Sequence, residues 1–202
     1  MRTIETTVFQ YSELSETAKE RARDWYRVGM VTSDFSAEYV LDDSKEILRA
    51  LGFRTPDIYY SGFSSQGDGA CFAGGYYANA SDLQKLNAIV QDRPTDKDLH
   101  KVLEGFAALR AARPHMSATV SVRRGNNMVF DVSAVGEDME DEWGPGATDA
   151  EYEETFKELC RDFANWIYRT LEREYEYQNS DECVAESIEA NEYEFTEDGD
   201  RA

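Results

Sequence analysis

Residues 148–177 read TDAEYEETFKELCRDFANWIYRTLEREYEY, and this stretch contributes most to the predicted fold. Its apolar residues recur mainly at intervals of three and four: Tyr152, Phe156, Leu159, Phe163, Trp166, Ile167, Leu171 and Tyr175. That spacing predicts an amphipathic helix with one buried face. Thr148 and Glu151 have the spacing of a capping box. We therefore expect a long C-terminal helix, from Thr148 to about Tyr177, that packs on a core.

Upstream of this helix, the sequence predicts two β-hairpins. Segments 57–63 and 70–78 flank a glycine-bearing loop, and segments 117–123 and 128–134 flank Gly125-Asn126-Asn127. Further helical patterns cover 15–29, 36–52, 81–94, 95–114 and 180–188, and outer strands are predicted at 3–10 and 193–196. The expected fold is α+β, with a mostly antiparallel sheet built from the two hairpins plus the outer strands, and with helices packed on one face.

Short polar residues mark where several of these helices start. Ser15, Ser81 and Ser180 are predicted N-caps, and Thr95 is predicted to begin the helix that Pro114 ends. There is no internal repeat and no low-complexity linker, so residues 1–202 are predicted to form a single α+β domain that includes the acidic last third.

Composition limits the compartment and the class of protein. The chain is 41% hydrophobic and 12% aromatic, which is typical of a folded protein. No apolar run approaches the roughly 18 residues of a membrane span, and the start of the chain does not resemble a signal peptide. Three widely spaced cysteines make a disulfide framework unexpected. These features indicate a cytoplasmic protein with no role in a membrane.

Almost all of the net charge lies in the last third of the chain. Residues 137–202 hold 23 acidic and 5 basic residues, a net charge of −18. Residues 1–136 hold 18 acidic and 16 basic residues, a net charge of −2. Repulsion from phosphates argues against direct nucleic-acid binding. The acidic segment 137–202 indicates a partner of opposite charge, and the alternative is a solvated face that only favours solubility.

Two acidic segments are candidate contact sites for a basic protein. Glu154, Glu158 and Asp162 repeat at i,i+4 on the predicted helix, about 6 Å apart, a spacing roughly commensurate with phosphates along a nucleic-acid strand. Two pairs on the same helix, Glu153–Lys157 and Glu158–Arg161, have the spacing of ion pairs. The second candidate is an acidic loop that offers charge for steering and an aromatic anchor: Asp138, Glu140, Asp141, Glu142 and Trp143. Its alternative is a solvated loop whose tryptophan folds back onto the core.

The most distinctive local motif is the loop Ser65-Gln66-Gly67-Asp68-Gly69. Glycines beside an acid allow close approach of a ligand, but the same residues are also ordinary hairpin-turn chemistry. The chain contains no established catalytic motif, and its two histidines and scattered cysteines form no zinc pattern. We therefore expect no enzymatic activity, no catalytic residue, no metal and no cofactor, with an enzyme or ligand-binding module centred on residues 64–70 as the alternative.

Three segments resemble a known family. They are residues 24–27, 194–199 and the stretch IYYSGFSSQGDGACF at residues 58–72. They are similar to small acidic phage and prophage proteins with an SGFxSQGDGAxF core, often labelled as antitoxins of toxin–antitoxin systems. The resemblance implies a mobile-element origin and a bacterial host cell. The expected function is a non-enzymatic, anti-CRISPR-like inhibitor that mimics nucleic acid and blocks a basic nucleic-acid-handling protein. An antitoxin that neutralises a toxin is the alternative, and the oligomeric state is left open.

Overall fold

The computed structural model describes residues 7–31, 35–123, 129–137 and 149–202. The helices there are α1 (Glu16–Tyr26), α2 (Glu38–Leu51), α3 (Leu83–Asp92), α4 (Lys97–Ala112), α5 (Asp149–Gln178) and α6 (Asp181–Ala190). The strands are β1 (Phe9–Gln10), β2 (Phe53–Tyr60), β3 (Ala70–Tyr77), β4 (Met116–Arg123), β5 (Val129–Glu137) and β6 (Glu194–Phe195). Short helical turns cover Tyr11–Glu13, Arg27–Val31 and Ala78–Ala80. The α+β class and the long helix are confirmed.

The two predicted hairpins form one antiparallel sheet with strand order β2-β3-β4-β5. Phe53 pairs with Tyr76 across β2 and β3, and Tyr76 pairs with Ala118 across β3 and β4. A register shift interrupts the pairing between Arg54 and Asp57. Pro56 lies inside this irregular stretch of β2, which is an edge strand, so its missing N–H does not break a central ladder.

The Cα positions divide the chain into two compact units. The first unit is Met1–Ala37 with Glu172–Ala202, and the second unit is Glu38–Leu171. That residues 1–202 form a single domain stays a prediction.

The core of the second unit is an aromatic cluster that joins the sheet to α4 and α5. Its members are Phe53, Phe72, Tyr76, Phe106, Phe156 and Phe163, all almost fully buried. Ring centroids lie 4.9 Å apart for Tyr76 and Phe156 and 5.9 Å apart for Phe72 and Phe163. Along β4, Ala118 and Val120 are buried while Thr119 and Ser121 are exposed. The helices therefore cover one face of the sheet, because alternate residues of a strand point to opposite faces.

The first unit contains a second, smaller sheet in which β1 pairs with β6. The expectation that the outer strands extend the hairpin sheet is therefore wrong. Phe9 and Phe195 are direct partners in this small sheet, and Phe195 is fully buried. Its core also contains Tyr11, Leu14, Ala18, Ala22, Val184 and Ile188. The outer strands pair with each other because their apolar residues complete this core between α1 and α6.

Two predicted helix starts differ by one residue from the observed ones. The N-cap of α3 is Asp82, whose carboxylate accepts a hydrogen bond from Lys85 N at 3.0 Å, and not Ser81. Ser81 Oγ instead donates to Leu51 O at 2.8 Å. Likewise Asp96, and not Thr95, caps α4 by accepting from Leu99 N at 3.0 Å. In both cases the next residue along the chain is an aspartate, and Ser, Thr and Asp are all favoured N-caps, so the local sequence does not distinguish the two positions.

The Tyr76 hydroxyl yields a stability prediction. It is buried in the aromatic cluster with no hydrogen-bond partner among the described residues, and burial raises its pKa. We expect Tyr76→Phe to raise the free energy of unfolding by about 1 kcal/mol, because it removes an unsatisfied buried polar group. Urea denaturation followed by circular dichroism measures this change.

Tyr168→Phe is the matched control, because the Tyr168 hydroxyl donates to Gly62 O at 3.2 Å. That variant should lose about 0.5–1 kcal/mol. A clear loss of stability in Tyr76→Phe would show that its hydroxyl has a partner.

Candidate interaction surface

The second unit presents an acidic surface on the exposed side of α5. Glu154, Glu158 and Asp162 are all exposed there, as the sequence predicted. On the opposite side of the helix, Phe156, Cys160 and Phe163 are fully buried. The i,i+4 spacing keeps the three carboxylates on one side, since 3.6 residues complete a helical turn. We call these three residues the α5 acidic face.

Packing holds the buried side of α5 in place. Trp166 Nε1 donates to Asp96 Oδ2 at 2.8 Å, so Asp96 both caps α4 and anchors α5. Arg169 Nη1 donates to Asp98 Oδ2 at 2.6 Å. The Arg113 guanidinium lies 4.4 Å from the centroid of the Tyr152 ring. The α5 acidic face therefore stands on a rigid support.

One neighbouring acid on the same helix is neutralised, whereas the α5 acidic face has no ion pair among the described residues. Lys157 Nζ lies 2.5 Å from Glu153 Oε1, which confirms the predicted pair. Within the described ranges, Glu154, Glu158 and Asp162 form no ion pair. The predicted Glu158–Arg161 pair is therefore wrong. Both side chains are exposed, where such a pair gains only a few tenths of a kcal/mol against solvation.

The second unit carries another acidic ladder that the sequence reading missed. Glu38, Asp42 and Glu46 repeat at i,i+4 along α2, and all three are exposed. Lys85 Nζ lies 3.6 Å from Glu46 Oε2, so this ladder is partly neutralised. The i,i+4 spacing is visible in the sequence, but the net charge of residues 1–136 is close to balanced and so gives no sign of the ladder.

The acidic loop that the sequence predicts lies outside the described residues; it comprises Asp138, Glu140, Asp141, Glu142 and Trp143. Their assignment as contact residues stays a prediction.

The Gly-rich loop is built as a turn. The Asp68 carboxylate accepts from Ser65 N at 2.6 Å and from Ser64 N at 3.0 Å, and Asp68 N donates to Ser65 O at 3.1 Å. Hydrogen bonding from the Ser65 amide is the main cause that lowers the pKa of Asp68, although slight desolvation opposes it. Gly67 has a φ of +99°, a value that favours glycine. Asp68 therefore holds the loop closed with its own carboxylate.

Aromatic contacts fix the same loop to α5. The Phe63 ring stacks on Tyr60 at 6.1 Å and on Tyr168 at 5.8 Å between centroids. Gly69 N donates to Ser61 Oγ at 3.0 Å across the base of the loop, while Ser65 and Gln66 are exposed at its tip. The hairpin-turn interpretation accounts for the contacts made by Gly67, Asp68 and Gly69.

The cysteines and histidines do not combine into a site in the described part of the chain. Cys71 and Cys160 are buried, Cys183 is half-buried, and all three are free. Burial raises the pKa of the Cys160 thiol, which keeps it in the unreactive protonated form. Among the described residues, no three metal-ligating side chains come together. None of the described helices has the length and apolar character of a membrane span.

Comparison with known proteins gives one match. A protein-family profile described as "Domain of unknown function (DUF8835)" matches residues 37–181, which is more than half of the chain and contains the whole second unit. No curated protein and no solved structure matches the chain.

Proposed function

The chain belongs to the DUF8835 family, a domain of unknown function, and we propose that it binds a basic, nucleic-acid-handling protein and blocks the nucleic-acid site of that protein. The α5 acidic face is the observation that carries this proposal. Three exposed carboxylates without ion-pair partners in the described ranges stand on a helix that packing holds rigid. Charge on a folded helix steers a basic partner, and the helix backbone is already ordered before binding.

The spacing of the face supports nucleic-acid mimicry. Residues four apart rise about 6 Å along a helix axis. Every second phosphate of a DNA strand rises about 7 Å along the duplex axis, so a groove lined by Lys and Arg can accommodate either repeat. The α5 acidic face thus presents negative charges at a spacing similar to that of alternate phosphates along a DNA strand. Blocking of a host defence nuclease by a mobile-element protein is the role that we propose for it.

Binding is tested by charge reversal of the face. We expect the triple variant Glu154→Lys, Glu158→Lys and Asp162→Lys to weaken binding to a captured basic partner at least tenfold, because attraction becomes repulsion. The partner is first captured from a bacterial lysate at low salt and identified by mass spectrometry. Its affinity is then measured by biolayer interferometry at several salt concentrations, with and without a competing DNA duplex.

The α2 ladder supplies the matched control. Glu38→Lys, Asp42→Lys and Glu46→Lys reverse the same number of charges at the same spacing in the same unit. Wild type and this control should compete with DNA and should bind more weakly as salt rises. The proposal fails if binding is insensitive to salt, if DNA does not compete, or if the two triple variants lose affinity equally.

A further inference from the structure

The first unit contains a cavity of about 280 Å³ that the proposed function does not use. Gln10, Tyr11 and Ser12 form one side of its wall, and the end of α6 with the residues that follow it forms the other. The lining residues are Gln10, Tyr11, Ser12, Ile188, Glu189, Glu192 and Tyr193. The volume lies just below that of pockets for drug-sized ligands, so the cavity suits a smaller organic group.

The lining has an apolar part and an acidic part. Tyr11 and Ile188 are buried, and Tyr193 is half-buried, whereas Glu189 and Glu192 are exposed. Within the described ranges neither glutamate forms an ion pair or a side-chain hydrogen bond. Among the residues that the structure describes, no Lys, Arg or His lines the cavity. A ligand with an alkyl stem and a cationic head matches this division.

The helix end adds to the negative potential. Glu189 lies in the last turn of α6, which contains no basic residue. The carbonyl groups at a helix C-terminus carry about half a negative charge. The cavity therefore combines two carboxylates with the negative end of a helix dipole.

Glu192 is held in a backbone conformation that favours glycine. Its φ is +53°, and it follows the C-cap Asn191. Glu192 N donates to Glu189 O at 3.0 Å and Tyr193 N donates to Ile188 O at 3.3 Å, which is the Schellman pattern with glutamate in the usual glycine position. A carboxylate therefore stands beside the cavity at a position where glycine would relieve the backbone strain.

We propose that the cavity binds the ammonium or guanidinium head of a small organic cation, with the alkyl stem against Tyr11 and Ile188. The same chemistry is offered by a free diamine and by a Lys or Arg side chain of a partner. The proposal does not rest on the α5 acidic face, which belongs to the second unit.

The test uses 1,5-diaminopentane, with 1,5-pentanediol as a neutral probe of the same length. We expect the diamine, and not the diol, to shift the amide NMR signals of Ser12, Glu189 and Tyr193 at millimolar concentrations. A short peptide with one Arg among Gly and Ser residues forms the second arm. Stronger binding of the diamine indicates a free cation, and stronger binding of the peptide indicates a partner side chain.

Glu192→Gly separates binding from folding. Because glycine adopts positive φ without strain, this variant should be at least as stable as wild type, yet bind the diamine about tenfold more weakly. Glu189→Gln should weaken binding similarly, and Glu186→Gln, an exposed acid of α6 outside the cavity, should not. Equal shifts with diol and diamine, or unchanged diamine binding by Glu192→Gly, would overturn the proposal. Reversal of the α5 acidic face should leave diamine binding unchanged.

Discussion

Phe156→Ala should lower the free energy of unfolding of the second unit by about 3–5 kcal/mol, the range for deleting a buried Phe. Phe156 has no exposed surface. Its ring contacts Tyr76 at 4.9 Å, Phe106 at 6.0 Å and Phe53 at 6.2 Å between centroids, so it joins α5 to α4 and to two strands. Removing the ring forfeits its burial and leaves a cavity among aromatic neighbours, which cannot all move to fill it.

Chemical denaturation with circular dichroism and tryptophan fluorescence measures this loss. Tyr39→Ala in the same unit is the matched control, since Tyr39 is 78% exposed, and we expect a change within about 0.5 kcal/mol. A loss below about 1.5 kcal/mol for Phe156→Ala would contradict the packing described here. So small a loss would mean that the Phe156 ring does not anchor α5. Packing of this ring would then not support the α5 acidic face.

Gly199→Ala is expected to be the most damaging single-methyl change in the first unit. Gly199 has a φ of +86°, and a Cβ built there lies 2.2 Å from Ala18 O and 2.9 Å from Ala18 C. These are backbone atoms of α1, which cannot rotate away as a side chain can. We expect a loss of about 2–4 kcal/mol, because strain and steric overlap act together.

The segment around Gly199 should detach from α1 to relieve the overlap. In wild type the segment is held by three contacts: Phe195 is fully buried, Arg21 Nη2 lies 2.8 Å from Asp200 Oδ1, and Arg201 Nη1 donates to Glu194 O at 2.6 Å. Detachment would break these contacts, so hydrogen exchange should accelerate at the amides of residues 194–202 in the variant. Gly29→Ala is the control, because nothing lies within 4 Å of a Cβ built at Gly29. In this control, exchange at residues 194–202 should stay as in wild type. Unchanged exchange at residues 194–202 in Gly199→Ala would refute the close approach.

Elements with a strong local pattern were predictable from the sequence. The α5 stripe from Tyr152 to Leu171, the Ser180 cap of α6 and both hairpins follow from spacing and turn residues, because these signals act within a few positions of the chain. The exposure of Glu154, Glu158 and Asp162 follows from the same periodicity. The predicted N-caps differ from the observed ones where two neighbouring residues are similarly good caps, as with Ser81 and Asp82 or with Thr95 and Asp96.

Features that depend on distant segments needed the tertiary structure. The pairing of Phe9 with Phe195 and the cavity between Tyr11 and Tyr193 bring together residues more than 180 positions apart. No periodicity encodes such contacts, because they form only when buried area repays the entropy of closing a long loop. The same holds for Asp96, which caps α4 and accepts from Trp166 seventy positions away. The sequence by itself determined which surfaces are apolar and which are acidic, and only the tertiary packing decided which of those surfaces are buried together and which carboxylates remain without a partner among the described residues.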